Sequence, residues 1–113
     1  MSNHLFSSEP EWVSENIIQE TFNKCQLYER VLRGELHQRI FNYDNHLKRR
    51  QREKIREPRC TRSQILLYST LDGKPVALVH RYVRKNGELG GKGRPDPKRL
   101  LLPNKIIAVR QSP

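Results

Sequence analysis

The run His80-Arg81-Tyr82-Val83-Arg84-Lys85 sets a histidine, three basic side chains and a tyrosine on one short stretch of chain. That inventory suffices for cleaving RNA without a metal. A base takes the 2′-hydroxyl proton, an acid protonates the leaving oxygen, and cations stabilise the charged phosphorane. Histidine, with an ordinary pKa of about 6.5, suits either proton transfer. His80, Arg81 and Tyr82 are therefore the candidate catalytic residues. On an extended chain side chains alternate, so His80 and Tyr82 share one face and Arg81 takes the other. The His80 face reads as the core face, which makes a hydrogen-bonded core histidine the plainer role. Glu88 and Asp96 are the nearest carboxylates that could complete a catalytic set, and spacing selects neither.

Two further stretches suit the binding of phosphates. Leu47 to Arg62 holds eight basic residues, Lys48, Arg49, Arg50, Arg52, Lys54, Arg56, Arg59 and Arg62, against Glu53 and Glu57. On a helix, residues three and four apart are neighbours, so Lys48, Arg49, Arg52 and Arg56 line one flank. Such a row can track a nucleic-acid backbone, each neutralised phosphate releasing counterions. The second stretch is "GELGGKGRPDPKR", Gly87 to Arg99. Its glycines let backbone amides approach an anion, with Lys92, Arg94, Lys98 and Arg99 as phosphate contacts, joined by Arg84 and Lys85 just upstream. It is not a nucleotide loop. Asn86 stands where a P-loop needs its first glycine, Gly93 replaces the hydroxyl residue, and Asp96 occupies a glycine position of the dinucleotide fingerprint. A mobile or ligand-ordered basic loop is expected, in which Asp96 binds a turn amide or orients Arg94.

Metal and cofactor chemistry draws no support. His4, His37, His46 and His80 are scattered, and no Cys or His pair has ligand spacing. Cys25 and Cys60 read as reduced thiols, Cys25 buried on an apolar stripe. Tyr28, Phe41 and Tyr43 read as packing residues. Tyr68 and Tyr82 lie beside arginines and are the better platforms for stacked bases.

The charge distribution points the same way. The chain has 113 residues and a formal net charge of +10. Residues 1–46 hold four basic and seven acidic groups, whereas 47–113 hold eighteen and five. A balance of this kind speaks of anionic partners rather than of fold. No signal peptide and no apolar run of membrane-spanning length is visible, so a soluble cytoplasmic chain without a membrane partner is expected.

The elements that must position these residues follow from periodicity. The whole chain reads as one small domain, with residues 1–8 a tail, 9–57 helical and 63–113 an antiparallel sheet carrying the 87–99 loop. Ser8 and Glu11 suggest a capping box with Pro10 in the first turn. Apolar positions at Ile18, Phe22, Cys25, Leu32, Leu36, Ile40, Tyr43 and Leu47 fit one helical stripe, which Gly34 kinks or divides. The expectation is a long helix or helix pair. Its stripe from Ile18 to Leu47 would suit a second copy or a partner protein.

From Ser63 two strand-like runs flank Asp72-Gly73, a two-residue hairpin signal. That turn pairs Tyr68 with Ala77, Leu67 with Leu78 and Ile65 with His80. Both faces are apolar near the turn, so the sheet should be covered on both sides there. Asn86-Gly87 marks a second turn, and "KRLLLPNKIIAV" closes the chain as two short strands around Pro103-Asn104. The fold class is α+β, with three to five antiparallel strands built from hairpins. A helical start followed by a small basic antiparallel sheet resembles, in outline, the barnase-like and RelE-like ribonuclease toxins. The resemblance implies an architecture and a ribonuclease option, and it assigns no residue. The leading expectation is a nucleic-acid-binding module, RNA before DNA, with a metal-independent endoribonuclease second and a protein-interaction module third.

Overall fold

The computed structural model describes residues 9–110. The chain is α+β, but its first half is not one helix. A two-residue strand β1 (Glu11–Trp12) leads into α1 (Glu15–Lys24), α2 (Leu27–Leu32), strand β2 (His37–His46) and α3 (Arg49–Ile55). Four strands follow: β3 (Arg62–Ser69), β4 (Pro75–Val83), β5 (Asp96–Leu101) and β6 (Ile106–Ala108). They form one six-stranded sheet in the order β1-β6-β5-β4-β3-β2, antiparallel except for the β1–β6 pair.

The helical start lies later than Ser8, which falls outside the described residues. Ser14 is the N-cap of α1, and its hydroxyl accepts from the Ile17 N–H at 3.2 Å. The expected capping-box residue Glu11 sits in β1, opposite Ile107. Gln26 in the left-handed region (φ 54°) separates α1 from α2. Gly34 ends α2: its φ of 79° lets the Gly34 N–H reach the Val31 carbonyl and the Glu35 N–H the Arg30 carbonyl.

The larger correction is β2. Leu36, Ile40, Tyr43 and Leu47 are spaced as on a helix, yet His37–His46 is extended and pairs along β3, with a bulge between Ile40 and Asp44. Tertiary pairing overrides the local pattern here. The stripe from Ile18 to Leu47 therefore does not exist as one surface. Ile18, Phe22, Leu27 and Leu36 are buried in the protein's own core, while Ile40 and Tyr43 are exposed on an edge strand. Cys25, expected to be buried, is the exposed C-cap of α1.

The second half follows the hairpin reading. Tyr68 pairs with Ala77, Leu67 with Leu78 and Ile65 with His80. Leu66, Tyr68, Ala77, Val79, Leu100 and Ile107 form the face that α1 and α2 cover, and with Phe22 and Ile18 they make the core. His80 and Tyr82 lie on the opposite face, so the assignment of His80 to the core face is reversed. Tyr68, expected to offer a stacking surface, is fully buried against Phe22. Val83 bridges to Leu89 beyond the Asn86-Gly87 turn. β5 begins at Asp96, so the second basic loop is shorter than its sequence suggested.

Candidate nucleic-acid interface

The basic segments meet at one end of the sheet. There His46, Arg62 and Val83 are cross-strand neighbours, α3 joins the end of β2 to the start of β3, and the chain leaves β4 at Arg84. α3 contributes no buried residue. A left-handed Arg56 (φ 58°) stops it: the Arg56 N–H reaches the Glu53 carbonyl and the Glu57 N–H reaches that of Arg52 at 2.9 Å. This Schellman-type ending turns Glu57 inward.

Glu57 is the residue that sequence reading missed. Its side chain is 2% exposed and accepts from Arg84 Nε at 2.9 Å. It also accepts from Arg84 Nη2 at 3.3 Å and from the Gly91 N–H at 2.7 Å. The approach requires Gly90, because a Cβ there would stand 2.6–2.8 Å from the carboxylate. Hydrogen bonding from Arg84 holds the Glu57 carboxyl below its ordinary range despite burial, and the Gly91 N–H adds to this. One carboxylate thus ties the end of α3 to both ends of the 84–91 turn. The glycine-rich loop is held to the body of the protein rather than free. Arg94 reinforces this, reaching Glu29 at 3.0 Å and Asn23 at 3.3 Å and lying over the Tyr28 ring at 5.0 Å.

The sequence candidates consequently divide. Arg84 and Arg94 hold the loop in place, and Lys92 pairs with Asp96 at 2.8 Å and reaches Gln19 at 3.3 Å. Asp96 orients Lys92 rather than Arg94. Arg49 bridges Glu53 along exposed α3 at 2.9 Å. Lys48, Arg52, Arg56 and Lys85 have no acidic partner among the described residues. Neither have Arg50, Lys54 and Arg59. Lys98 lies at the bulged start of β5, and Arg99 faces Leu78 on the sheet surface away from the helices. The unneutralised charge is thereby concentrated between residues 48 and 59, with Lys85 carried alongside by the Glu57 clamp.

Next to the clamp, on the sheet face away from the helices, the Tyr82 ring meets His80 edge-on at 4.6 Å. Tyr82 also lies beside Gly91, whose Cβ position is 3.7 Å from its ring. His80 Nε2 is 2.7 Å from the Ser63 hydroxyl. Burial, and secondarily Lys98, pushes the His80 pKa below 6.5, while Asp96 opposes the shift. Burial, and secondarily Asp96, raises that of Tyr82. Arg81 is not part of this group. It lies on the opposite face, where its Nε donates to Gln64 Oε1 at 2.9 Å.

On that opposite face Asp44 Oδ1 accepts from Arg62 Nε at 2.7 Å and from Gln64 Nε2 at 3.1 Å. Arg62, then Gln64, holds the Asp44 carboxyl below its ordinary range. Arg62 Nη1 is 2.8 Å from His46 Nε2. Since arginine only donates, His46 accepts there. Among the described residues no three His, Cys, Asp or Glu side chains group as metal ligands would, and no helix is long and apolar enough to cross a membrane. No protein-family model matches the chain, and no curated protein or solved structure is similar enough to match it.

Proposed function

We propose that this protein binds RNA, gripping the phosphate backbone with α3 and the turn that Glu57 holds beside it. One observation carries the reading: a buried carboxylate joins two basic segments while neutralising only Arg84. Six cations between residues 48 and 59, and Lys85, stay without an acidic partner among the described residues. A solvated helix end would need no such clamp. Tyr82 beside the clamp, and the 41%-exposed Tyr43 within electrostatic reach of Tyr82, offer aromatic surface for unpaired bases. Single-stranded RNA suits such a mixture of stacking and backbone contact better than duplex DNA.

The test is incubation of the pure protein with labelled single-stranded RNA, structured RNA and duplex DNA in EDTA, read on native and denaturing gels. Intact RNA, retarded at physiological salt and released as salt rises, is the expected result. No retardation of any RNA would overturn the reading.

A metal-independent ribonuclease is the second reading. The contact of His80 with Tyr82 and Ser63 beside the clamp favours it. Discrete fragments that vanish in His80→Ala at unchanged stability would establish it. Because Arg81 projects from the other face, Arg81→Ala should leave such cleavage chemistry in place and act on binding alone.

A further inference from the structure

Arg62 and Arg81 are the cations that β3 and β4 themselves carry at this end of the sheet. We infer that they form a separate phosphate subsite, taking one phosphodiester of the bound strand, with Asp44 and Gln64 as its positioning residues. The inference rests on the RNA-binding reading for its ligand, and on local geometry for the subsite itself.

The geometry is that of two guanidinium groups aimed by their inner nitrogens. Arg62 Nε is spent on Asp44 at 2.7 Å and Arg81 Nε on Gln64 at 2.9 Å. Gln64 donates to the same Asp44 oxygen at 3.1 Å, which fixes the amide so that its carbonyl oxygen faces Arg81. A single carboxylate therefore orients both arginines, one directly and one through an amide.

A guanidinium has five N–H donors, and anchoring through Nε leaves the outer ones to a ligand. Arg62 spends part of its outer edge on His46 Nε2 at 2.8 Å and on the Asp44 carbonyl at 3.4 Å. The outer nitrogens of Arg81 have no partner among the described residues. Arg62 stands opposite Val83, and Arg81 opposite Gln64, so the two are diagonal neighbours on adjacent strands. Diagonal pairs lie about 7–8 Å apart, a span that two guanidiniums can close around one phosphate. Two fixed positive charges against one carboxylate leave a single charge unmatched. The Arg62 side chain is 37% exposed, so a ligand can reach it.

A cross-strand network that merely fastened the edge strand β2 would use the same bonds. The test must therefore read ligand rather than stability. Full-length wild type, Arg81→Gln, Arg81→Lys and Gln64→Met are titrated with 5′-labelled single-stranded RNA by fluorescence anisotropy at several salt concentrations. Thermal melting is recorded alongside. In parallel, inorganic phosphate is titrated into ¹⁵N-labelled protein while the arginine Nε–Hε resonances are followed.

Arg81→Gln is expected to weaken RNA binding about five- to tenfold and to flatten the log–log salt dependence by about 0.7, the share of one phosphate on a single strand. Arg81→Lys should restore the slope but only part of the affinity, because lysine lacks the planar fork. Gln64→Met, which keeps the charge, should weaken binding in the same sense. Phosphate should move the Nε–Hε resonances of Arg62 and Arg81 together in wild type.

Wild-type affinity and slope in Arg81→Gln, with binding still abolished when α3 is neutralised, would overturn the subsite and leave the RNA reading standing. If wild type bound no RNA while phosphate still moved both arginines, the RNA reading would fall and the anion subsite would stand. No response of either arginine to phosphate, together with unchanged RNA binding by Arg81→Gln, would remove the subsite outright.

Discussion

A carboxylate that is 2% exposed and accepts from a guanidinium and a backbone amide has no low-cost substitute. In Glu57→Gln the Gly91 N–H keeps an acceptor, but Arg84 meets an amide and loses its countercharge. The expected destabilisation is about 2–3 kcal/mol by urea unfolding, the range for a mostly buried charge-assisted pair. Its pH dependence has a definite sign. The folded pKa of Glu57 is held below the ordinary 4.5, so its contribution is complete above that value and is lost as the pH falls below it. In Glu57→Gln that part of the acid sensitivity should disappear. His80 acts in the same direction at higher pH. Burial depresses its pKa, so the unfolded chain takes up the proton first and stability falls as pH drops below 6.5. NMR titration of the His80 ring should place its midpoint below 6.5, and His80→Phe should remove this dependence. A midpoint above that value would contradict the burial argument.

At the scale of the element, α3 is a helix that buries nothing and is held at its ends. Leu47 N–H bonds to the Thr61 carbonyl before it, and the Glu57 clamp follows it. Its ending forces Arg56 to φ 58°, a conformation that disfavours any side chain with a Cβ. Arg56→Gly should therefore stabilise the fold by about 0.5–1 kcal/mol in thermal or urea melts. The same substitution removes a cation from the proposed interface, so RNA affinity should fall. Opposite signs in the two measurements would separate folding from binding at this position. A residue kept only for solubility would show no loss of affinity.

For the whole molecule, the charge asymmetry and the fold agree. The acidic first part supplies α1 and α2, which cover one face of the sheet, and the basic remainder gathers its unmatched charge at the α3 end. Replacing Lys48, Arg50 and Lys54 together by Gln should change stability by no more than about 0.5 kcal/mol, because these side chains are exposed and Gln is a comparable helix former. It should reduce the magnitude of the salt slope for single-stranded RNA by about 0.7 for each phosphate no longer neutralised. An unchanged slope would mean that the strand runs elsewhere. Much of this organisation was legible in the chain alone. The β3–β4 register followed from Asp72-Gly73 and alternation, which are local, and the basic character of residues 48–59 followed from composition. β2 was not legible, since the spacing of Leu36, Ile40, Tyr43 and Leu47 satisfies a helical face, and only the open edge of β3 decides for a strand. Nor was Glu57, which looked like a minor acid in a basic run. Its partners Arg84 and Gly91 lie 27 and 34 residues away. Sequence alone determined what is short-ranged: the hairpins and the excess of positive charge, together with an interruption of the helical pattern at Gly34, beyond which the chain turns out to be a strand. Only the tertiary structure decided which charges are spent inside the fold and which stay unmatched, because an ion pair is set by distance in space and by burial rather than by spacing along the chain.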